Sequence, residues 1–271
     1  MSGDLDSNAE VPELNTEVPH SARIYDYLLG GKDNFLADRE AAGGITANWP
    51  NLPTSMRANR DFMRRVGGYL AAELGFRQFL DIGTGLPTAP NLHEVVQGIT
   101  PEARIVYVDN DPIVLTHARA LLASRPEGKT AYIDADLRDT GKILQKAAEV
   151  LDFDQPIAVM LVGVLHCIPD AEDPAELVGR LLAAVAPGSY LVVAHPASDI
   201  HATQIGDAAS RLNRVMDDGV TLRTEEAVSR FLTGVDLIEP GLVQLHRWRP
   251  GPAGPVPGHE LANYGAVGRK A

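Results

Sequence analysis

The sequence predicts an α/β fold in which a mostly parallel sheet is covered by helices and ends in antiparallel strands. From residue 76 onward, fully apolar runs alternate with helical patterns, and such runs are typical of parallel strands buried on both faces. Near the C-terminus this alternation stops, and two strand patterns at residues 235–239 and 242–248 are joined by a turn at Pro240 and Gly241. We therefore expect these last two strands to pair with each other.

The residues before position 76 are predicted to be mainly helical. Residues 1–18 are acidic, polar and without a period, which is typical of a disordered tail. A short helix is expected to stop at Gly30 and Gly31, and a second helix near residue 43. A long helix is expected from residue 54 to about 74, with an apolar stripe formed by Phe62, Val66, Leu70 and Leu74.

The alternating region predicts five parallel strands with helices between them. The strands are expected at residues 77–82, 104–109, 130–134, 157–162 and 190–194. Helices are expected at residues 90–97, 112–123, 140–150 and after Pro174, with one more beginning at the capping residue Thr224. The chain would then divide into a disordered tail (1–18), an N-terminal helical cap (19–75), a core (76–250) and a C-terminal tail packing on the core (251–271).

The most specific motif is Asp81-Ile82-Gly83-Thr84-Gly85, at the end of the first predicted strand. Glycines allow a tight turn and the close approach of a ligand, while the next helix directs free N–H groups at it. The third glycine of the dinucleotide fingerprint is missing, because residues 86–88 are Leu, Pro and Thr. Asp81 repels phosphate and attracts an ammonium group. Together these features favour S-adenosylmethionine as the ligand.

Acids also end the second and third predicted strands, and in this topology ligands bind outside the carboxyl ends of the strands. Asp109 is placed to accept hydrogen bonds from ribose hydroxyls. Asp136, with the backbone of Leu137, is placed to bind an adenine amino group. Any one of these acids could simply cap the following helix, but acids at three successive strand ends favour a cofactor. Arg60, on the long helix, belongs either to a solvated face or to a contact with a ligand carboxylate.

Few residues suggest a catalytic role. His166 follows the fourth strand and His195 follows the fifth, and each could be a general base, a pocket wall or a packing residue. No His, Asp and Glu cluster has metal-ligand spacing, so no metal is expected.

The N-terminal segment at residues 25–34 contains more polar and aromatic groups than simple packing requires. We expect it to lie over the strand ends as a lid, because these ends otherwise leave the pocket open and a group-transfer reaction favours reactants that are positioned and shielded from water. Its tyrosines, Tyr25 and Tyr27, would line a substrate pocket together with Lys32, Asn34 and His166, and Tyr25 becomes a third catalytic candidate. The alternative is a helical arm on the far side of the sheet.

Composition narrows the possible partners. The chain of 271 residues carries 24 Lys and Arg against 36 Asp and Glu, a formal charge of −12, which argues against a nucleic-acid partner. The single cysteine, Cys167, excludes an intrachain disulfide and suits a reducing cytoplasm. The polar N-terminus is unlike a secretory signal, and no run of eighteen apolar residues predicts a membrane span. Composition therefore leaves a small molecule or a protein as the substrate, of which we expect a small molecule. A monomer and a homodimer are both compatible with the sequence.

These residues resemble the class I S-adenosylmethionine-dependent methyltransferases, in which residues 81–85 match motif I. Asp109, Asp136 and residues 165–170 match the acids and the segment that follow the next strands. More closely, the chain resembles the actinobacterial S-adenosyl methyltransferase family long catalogued as a domain of unknown function. The segments that carry this resemblance are residues 22–40, Leu86-Pro87-Thr88, residues 106–112, Pro240-Gly241-Leu242-Val243 and Trp248-Arg249-Pro250.

The resemblance covers about residues 18–270 and implies a Rossmann-like, seven-stranded sheet with an antiparallel last strand. It implies S-adenosylmethionine as the cofactor but no defined acceptor. The cofactor-binding residues that we predict are Asp81, Gly83, Thr84, Gly85, Asp109, Asn110, Asp136, Leu137, Gly163 and Arg60.

Three functions are compatible with these observations. The first is methyl transfer from S-adenosylmethionine to a small molecule, an in-line displacement in which the protein mainly positions the reactants, so the lack of a catalytic triad is no objection. The second is a non-catalytic protein that binds the same cofactor in a regulatory role. The third is an NAD-dependent oxidoreductase, which the incomplete glycine fingerprint and the antiparallel end disfavour.

Overall fold

The computed structural model describes residues 16–114, 116, 124–216, 219–251 and 260–271. The disordered tail predicted for residues 1–18 therefore lies mostly outside the described residues. So do most of the helix expected to reach residue 123 and most of the irregular segment after Pro250. Within the described part, the predicted α/β architecture is confirmed, with eight strands rather than seven.

The centre of the molecule is one twisted layer with strand order β3-β2-β1-β4-β5-β8-β6, and β7 pairs with β8. Strands β1 to β5 run parallel, and β8 runs antiparallel to β5, β6 and β7. The chain fills one side of β1 first and then continues at β4 on the other side, so the order reverses between β1 and β4. The strands are β1 Gln78–Ile82, β2 Arg104–Asp109, β3 Lys129–Asp134, β4 Ala158–Val162, β5 Tyr190–Pro196, β6 Val235–Leu237, β7 Val243–Gln244 and β8 Asn263–Lys270.

The antiparallel end differs from the prediction. Strands β6 and β7 do not pair with each other, since both pair with β8, which was expected to be part of a tail packing on the core. Glycines in β8 make this arrangement possible: a Cβ on Gly265 would lie 2.4 Å from a Leu245 methyl carbon, and one on Gly268 would lie 2.4 Å from a Val235 methyl carbon. The small residues of β8 thus let neighbouring side chains lie across the strand.

Helices cover both faces of the sheet because alternate strand residues point to opposite sides. Leu80 and Ile82 join one apolar cluster with α1 and α2, whereas Phe79 joins another with α3. Phe62, Val66 and Leu70 are buried as the α3 stripe predicts, and Leu74 lies beyond the helix end. The helices are α1 Ser21–Leu28, α2 Leu36–Thr46, α3 Leu52–Ala72, α4 Leu92–Gln97, α5 Thr140–Ala147, α6 Pro174–Ala184, α7 Ala202–Leu212 and α8 Glu225–Ser229. Among the residues that the structure describes, no helix is long and apolar enough to cross a membrane.

Candidate cofactor and acceptor site

A cavity at the carboxyl ends of β1, β2 and β4, here called the first cavity, brings together all ten residues predicted to bind a cofactor. It lies where the strand order reverses, the place at which open α/β sheets bind their ligands. Its walls come from the loop after β1, the loops after β2, β3 and β4, one face of α3 and the first turns of α1. The predicted residues present are Arg60, Asp81, Gly83, Thr84, Gly85, Asp109, Asn110, Asp136, Leu137 and Gly163.

The loop after β1 owes its shape to two glycines in the left-handed region. Gly83 has a φ of 74°, and a Cβ there would lie 2.4 Å from the Val164 Cβ, so the loop after β4 packs directly against it. Gly85 has a φ of 66°, with no atom within 4 Å of the position that a Cβ would take. Its N–H donates to Asp109 Oδ2 at 2.7 Å, which ties the loop to the end of β2.

Asp81 is buried at the floor of the first cavity, and burial raises its pKa to about 7. The neighbouring charge of Asp109 raises the pKa further, whereas Arg60 and a hydrogen bond with Thr84 oppose this rise. The Arg60 guanidinium is held on the loop before α4, where it donates to the carbonyl oxygens of Thr88 and Pro90. Without a ligand, the Asp81 carboxyl group is therefore partly protonated at neutral pH. A cationic ligand group beside it would stabilise the ionised form.

The ends of β2 and β3 carry the other acids. Burial also raises the pKa of Asp109, whose carboxylate accepts hydrogen bonds from the N–H groups of Gly85 and Asp111. Asp136 lies at the rim and accepts from Asn110 Nδ2 at 2.9 Å and from Arg138. Arg138 was not predicted from the sequence, and it holds Asp136 in place while also binding Glu172.

Two of the three catalytic candidates line the cavity. His166 lies in a short 3₁₀ turn, and burial together with nearby Arg223 lowers its pKa to about 4, so its imidazole is neutral at physiological pH. Its buried Nδ1 has no hydrogen-bond partner within the described part of the chain. Tyr25 donates its hydroxyl hydrogen to the Met56 carbonyl and accepts from Asn59 Nδ2 at 3.2 Å. Burial raises the pKa of Tyr25, which keeps the phenol neutral.

The third candidate, His195, is placed elsewhere. Its side chain points from β5 into the protein interior, is fully buried and lines no cavity described in the structure. Nδ1 lies 2.8 Å from the Pro196 carbonyl oxygen, and Nε2 lies 2.8 Å from an Arg223 nitrogen. Burial and neighbouring His166 lower its pKa to about 3. Since no substrate can reach this side chain, His195 is a packing residue, and the prediction of a catalytic role is corrected.

The N-terminal segment contributes to the wall of the first cavity through the beginning of α1, which supplies His20, Ser21, Ala22 and Tyr25. Tyr27 does not line the cavity and is 39% exposed. Residues two apart on a helix point in nearly opposite directions, so Tyr25 and Tyr27 cannot both face the ligand.

The other two polar residues predicted to line a substrate pocket also lie away from it. Lys32 does not line the first cavity, nor the second cavity that adjoins it and is described below. Asn34 is buried, and its Nδ2 donates to Asp26 Oδ2 at 2.8 Å and to the Gly31 carbonyl. Gly31 has no room for a side chain, because a Cβ would lie 1.9 Å from the Asp26 carboxylate. The Asn34 side chain therefore stabilises the turn between α1 and α2. The prediction that Asn34 lines a substrate pocket is corrected.

A second cavity adjoins the first, and sequence reasoning missed it. The two cavities share Ser21, Tyr25, Asn59, Gly163 and His166. A signal was available at Asn59: before Phe62 the buried stripe of α3 continues with the polar residues Asn59, one turn earlier, and Ser55, two turns earlier. Polar residues at buried positions of an otherwise apolar stripe indicate a site rather than plain packing.

Comparisons with known proteins agree with this geometry. The family model described as S-adenosyl methyltransferase matches residues 7–271. A DUF574 family protein from Streptomyces avermitilis MA-4680 is 45% identical, with 96% of this chain and all of that chain covered and a TM-score of 0.92. A protein from Thermobifida fusca YX, assigned to the methyltransferases, is 41% identical over 97% of this chain and 99% of its own, with a TM-score of 0.87.

A more distant likeness shows the fold alone. Human N-acetylserotonin methyltransferase, solved with S-adenosylmethionine, is 15% identical over 91% of this chain and 62% of its own, with a TM-score of 0.50. No curated protein matches the chain at a significant level. The family match covers nearly the whole chain, so the oxidoreductase hypothesis is set aside. The chain therefore belongs to the S-adenosyl methyltransferase family and is a methyltransferase that uses S-adenosylmethionine as its methyl donor.

Proposed function

We propose that the first cavity binds S-adenosylmethionine and that a small-molecule acceptor is methylated at the wall it shares with the second cavity. One observation carries the proposal: the ten residues that the sequence predicts for the cofactor, from five separate segments, line a single cavity at the reversal of strand order.

The residues of the first cavity fit the chemical groups of this cofactor. Asp81, buried and half-protonated near neutral pH, suits the ammonium group of the methionine moiety. Asp109 suits the ribose hydroxyls, while Asp136 and the backbone of Leu137 suit the adenine amino group. The open side of Gly85 lets a ligand lie against the main chain.

When bound, the cofactor supplies a methyl group that its sulfonium makes electrophilic. The protein then has to position an acceptor, exclude water and manage one proton. Helix α1 covers the reacting region, with Tyr25 fixed by Met56 and Asn59. His166 Nδ1 is neutral and without a described partner, so it can accept a hydrogen bond or a proton from an acceptor hydroxyl or amine.

Three further features belong to the same proposal. Residues 19–75 act as a cap over the core at 76–250, and β8 from the C-terminal region completes the sheet. The formal charge of −12 supports a substrate other than nucleic acid. The chain has a single cysteine, Cys167, and can form no intrachain disulfide, which supports a location in the reducing cytoplasm.

Calorimetry with S-adenosylhomocysteine and with NADH tests the cofactor assignment. We expect one S-adenosylhomocysteine site per chain and no NADH binding, and absence of S-adenosylhomocysteine binding would contradict the proposal. Catalysis is tested by incubating the protein with methyl-labelled S-adenosylmethionine and small-molecule extract. Transfer of label to an extractable compound is expected, whereas cofactor binding without any transfer would favour the regulatory alternative.

A further inference from the structure

We propose that the methyl acceptor is an uncharged, mainly apolar small molecule that carries a hydroxyl or amine hydrogen and binds in the second cavity. The inference rests on the proposed function, because it takes the first cavity as the cofactor site. It adds the chemical class of the acceptor and the place where the acceptor lies.

The second cavity is walled by the N-terminal cap on one side and by α7 and the residues after it on the other. Apolar side chains supply most of the wall, among them Ile24, Leu28, Trp49, Met56, Ile205 and Met216. Among the described residues of this wall there is no Asp, Glu, Lys or Arg. A charged acceptor would lose its hydration without gaining a counter-ion, which is costly, whereas a neutral apolar body gains from burial.

Two polar side chains, Asn59 and Asn263, interrupt this apolar wall and are here called the polar patch, and Asn59 also lines the first cavity. Asn59 is 6% exposed, and its Oδ1 has no hydrogen-bond partner among the described residues, because only its Nδ2 is used, on the Tyr25 hydroxyl. Asn263 is 5% exposed, and its Oδ1 is likewise without a described partner. Both atoms are acceptors, so a ligand that satisfies them must bring hydrogen-bond donors.

The position of the patch sets the orientation of the acceptor. Asn59, Tyr25 and His166 belong to both cavities, so a donor group held there lies at the boundary with the cofactor site. A hydroxyl or amine at this boundary is the group to be methylated. Its oxygen or nitrogen forms a bond to the methyl carbon as the bond between that carbon and the cofactor sulfur breaks, S-adenosylhomocysteine is the leaving group, and the proton passes to His166 or to solvent. The apolar remainder then extends between Trp49 and α7, where an aromatic face and two methionines, Met56 and Met216, adapt to its shape.

Matched naphthalene probes test the charge requirement. All the binding measurements use a protein that carries Trp248→Phe. Trp49 is then the one remaining tryptophan, and because it lines the second cavity its emission reports on binding there. With S-adenosylhomocysteine at saturation, 2-naphthol, 2-naphthoate and 2-naphthylmethylammonium are titrated by equilibrium dialysis and by quenching of Trp49 emission. We expect 2-naphthol to bind at least tenfold more tightly than either charged probe. Equal or tighter binding of the anion or the cation would overturn the proposal.

Two alanines of α7 locate the probe. Ala209 is half-buried and lines the second cavity, whereas Ala202 is exposed on the same helix and lies outside it. Ala209→Phe should weaken 2-naphthol binding at least tenfold and leave S-adenosylhomocysteine affinity unchanged, and Ala202→Phe should change neither. Unaltered 2-naphthol binding to the Ala209→Phe variant would overturn the location.

Asn263→Leu provides a test that does not depend on filling the cavity. Removing its amide oxygen should lower the preference for 2-naphthol over naphthalene by about threefold or more, and an unchanged preference would overturn the polar-patch assignment. S-adenosylhomocysteine binding is measured separately for every protein. Failure of 2-naphthol binding in a protein that binds S-adenosylhomocysteine defeats this inference alone, whereas failure of S-adenosylhomocysteine binding in the unmodified protein defeats the proposed function.

Discussion

At the carboxyl ends of β1 and β2, two buried acids face the same cavity, and both hold their protons more tightly than a free carboxylic acid does. Burial raises the pKa of Asp81 to about 7 and also raises that of Asp109. The sequence could place both residues in the site because they end apolar strands. It could not predict their protonation, which depends on burial, on their mutual repulsion and on Arg60 from α3.

The raised pKa of Asp81 predicts pH-dependent cofactor binding. Below pH 7 the free protein holds Asp81 mostly protonated, and an ammonium group favours the carboxylate, so binding must release a proton. The association constant for S-adenosylhomocysteine should therefore rise as the pH increases towards about 7, by up to about tenfold per unit, and then level off. Calorimetry between pH 5.5 and 8 measures this slope.

The Asp81→Asn variant is the control for this pH dependence, and it should bind more weakly with little slope. Two other residues of the first cavity are competing sources of a slope. Burial lowers the pKa of His20, but Asp111 and Asp109 together raise it above its usual value, and burial raises the pKa of Asp109. A slope that persists in Asp81→Asn would assign the proton to another group.

Asp109 should contribute to cofactor affinity through the ribose hydroxyls. We expect Asp109→Ala to weaken S-adenosylhomocysteine binding by about 1–3 kcal/mol, because the ribose hydroxyls lose the carboxylate oxygens that accept their hydrogen bonds. Asp134→Ala is the matched control, since Asp134 ends β3 but is exposed and outside the first cavity. Equal affinities for both variants would contradict the ribose assignment. Thermal melts should accompany the measurement, because Asp109 also holds the N–H groups of Gly85 and Asp111.

Residue-level prediction failed where a side chain's direction, rather than its place along the chain, decides its role. His195 and His166 both follow apolar strands, yet one points into the core and the other into the cavities. The directions of the two histidines follow from tertiary contacts that no local pattern contains. Asn59 was missed for another reason: it is a polar residue on the buried stripe of α3, and that helix was interpreted as packing alone.

At the scale of elements, the parallel half of the sheet was predictable and the antiparallel half was not. Each parallel strand is an apolar run with its own helix, so its pairing follows from topology rules. The turn at Pro240 and Gly241 suggested a local hairpin, but β6 and β7 both pair with β8, which comes later in the chain. A short local strand pair offers few bonds, and the eight-residue β8 offers more.

The loop after β1 allows a test at this scale. Gly83→Val should abolish S-adenosylhomocysteine binding, because its side chain would collide with Val164 and its φ of 74° disfavours a β-branched residue. Gly75→Val is the control: Gly75 has a φ of 68° but open space around it, outside the first cavity. We expect that control to lose only about 1–2 kcal/mol of stability and to keep its affinity. Normal binding by a folded Gly83→Val protein would show that this loop does not hold the cofactor.

At the scale of the whole molecule, helices α1 and α3 of the N-terminal segment contribute walls to both cavities. Arg23 on α1 and Asp38 on α2 form a buried ion pair at 3.3 Å, and Asp38 also accepts the N–H groups of His20 and Phe35. Tyr25 joins α1 to α3 through the Met56 carbonyl. Helices α1 and α2 are therefore joined to each other, and Tyr25 joins α1 to α3 beside the strand ends, which favours the lid over an arm on the far side of the sheet.

Two truncations separate the lid from the segment that precedes it. Every residue of the cap that lines the first cavity lies at or after His20, so removal of residues 1–15 should leave S-adenosylhomocysteine affinity unchanged. Removal of residues 1–44 takes away His20, Ser21, Ala22 and Tyr25 and should lower the affinity at least tenfold. Circular dichroism shows whether the shorter protein keeps its sheet.

A milder variant covers the case in which the longer truncation unfolds. Asp38→Ala breaks the buried ion pair and two hydrogen bonds to backbone N–H groups, so α1 should detach from α2 while the parallel core stays intact. We expect faster proteolytic cleavage between α1 and α3 and weaker binding of both S-adenosylhomocysteine and 2-naphthol, because α1 contributes to both cavities. S-adenosylhomocysteine should slow that cleavage, since a ligand held beneath α1 stabilises the closed form. A cleavage rate that does not respond to saturating ligand would mean that α1 does not close over the cofactor.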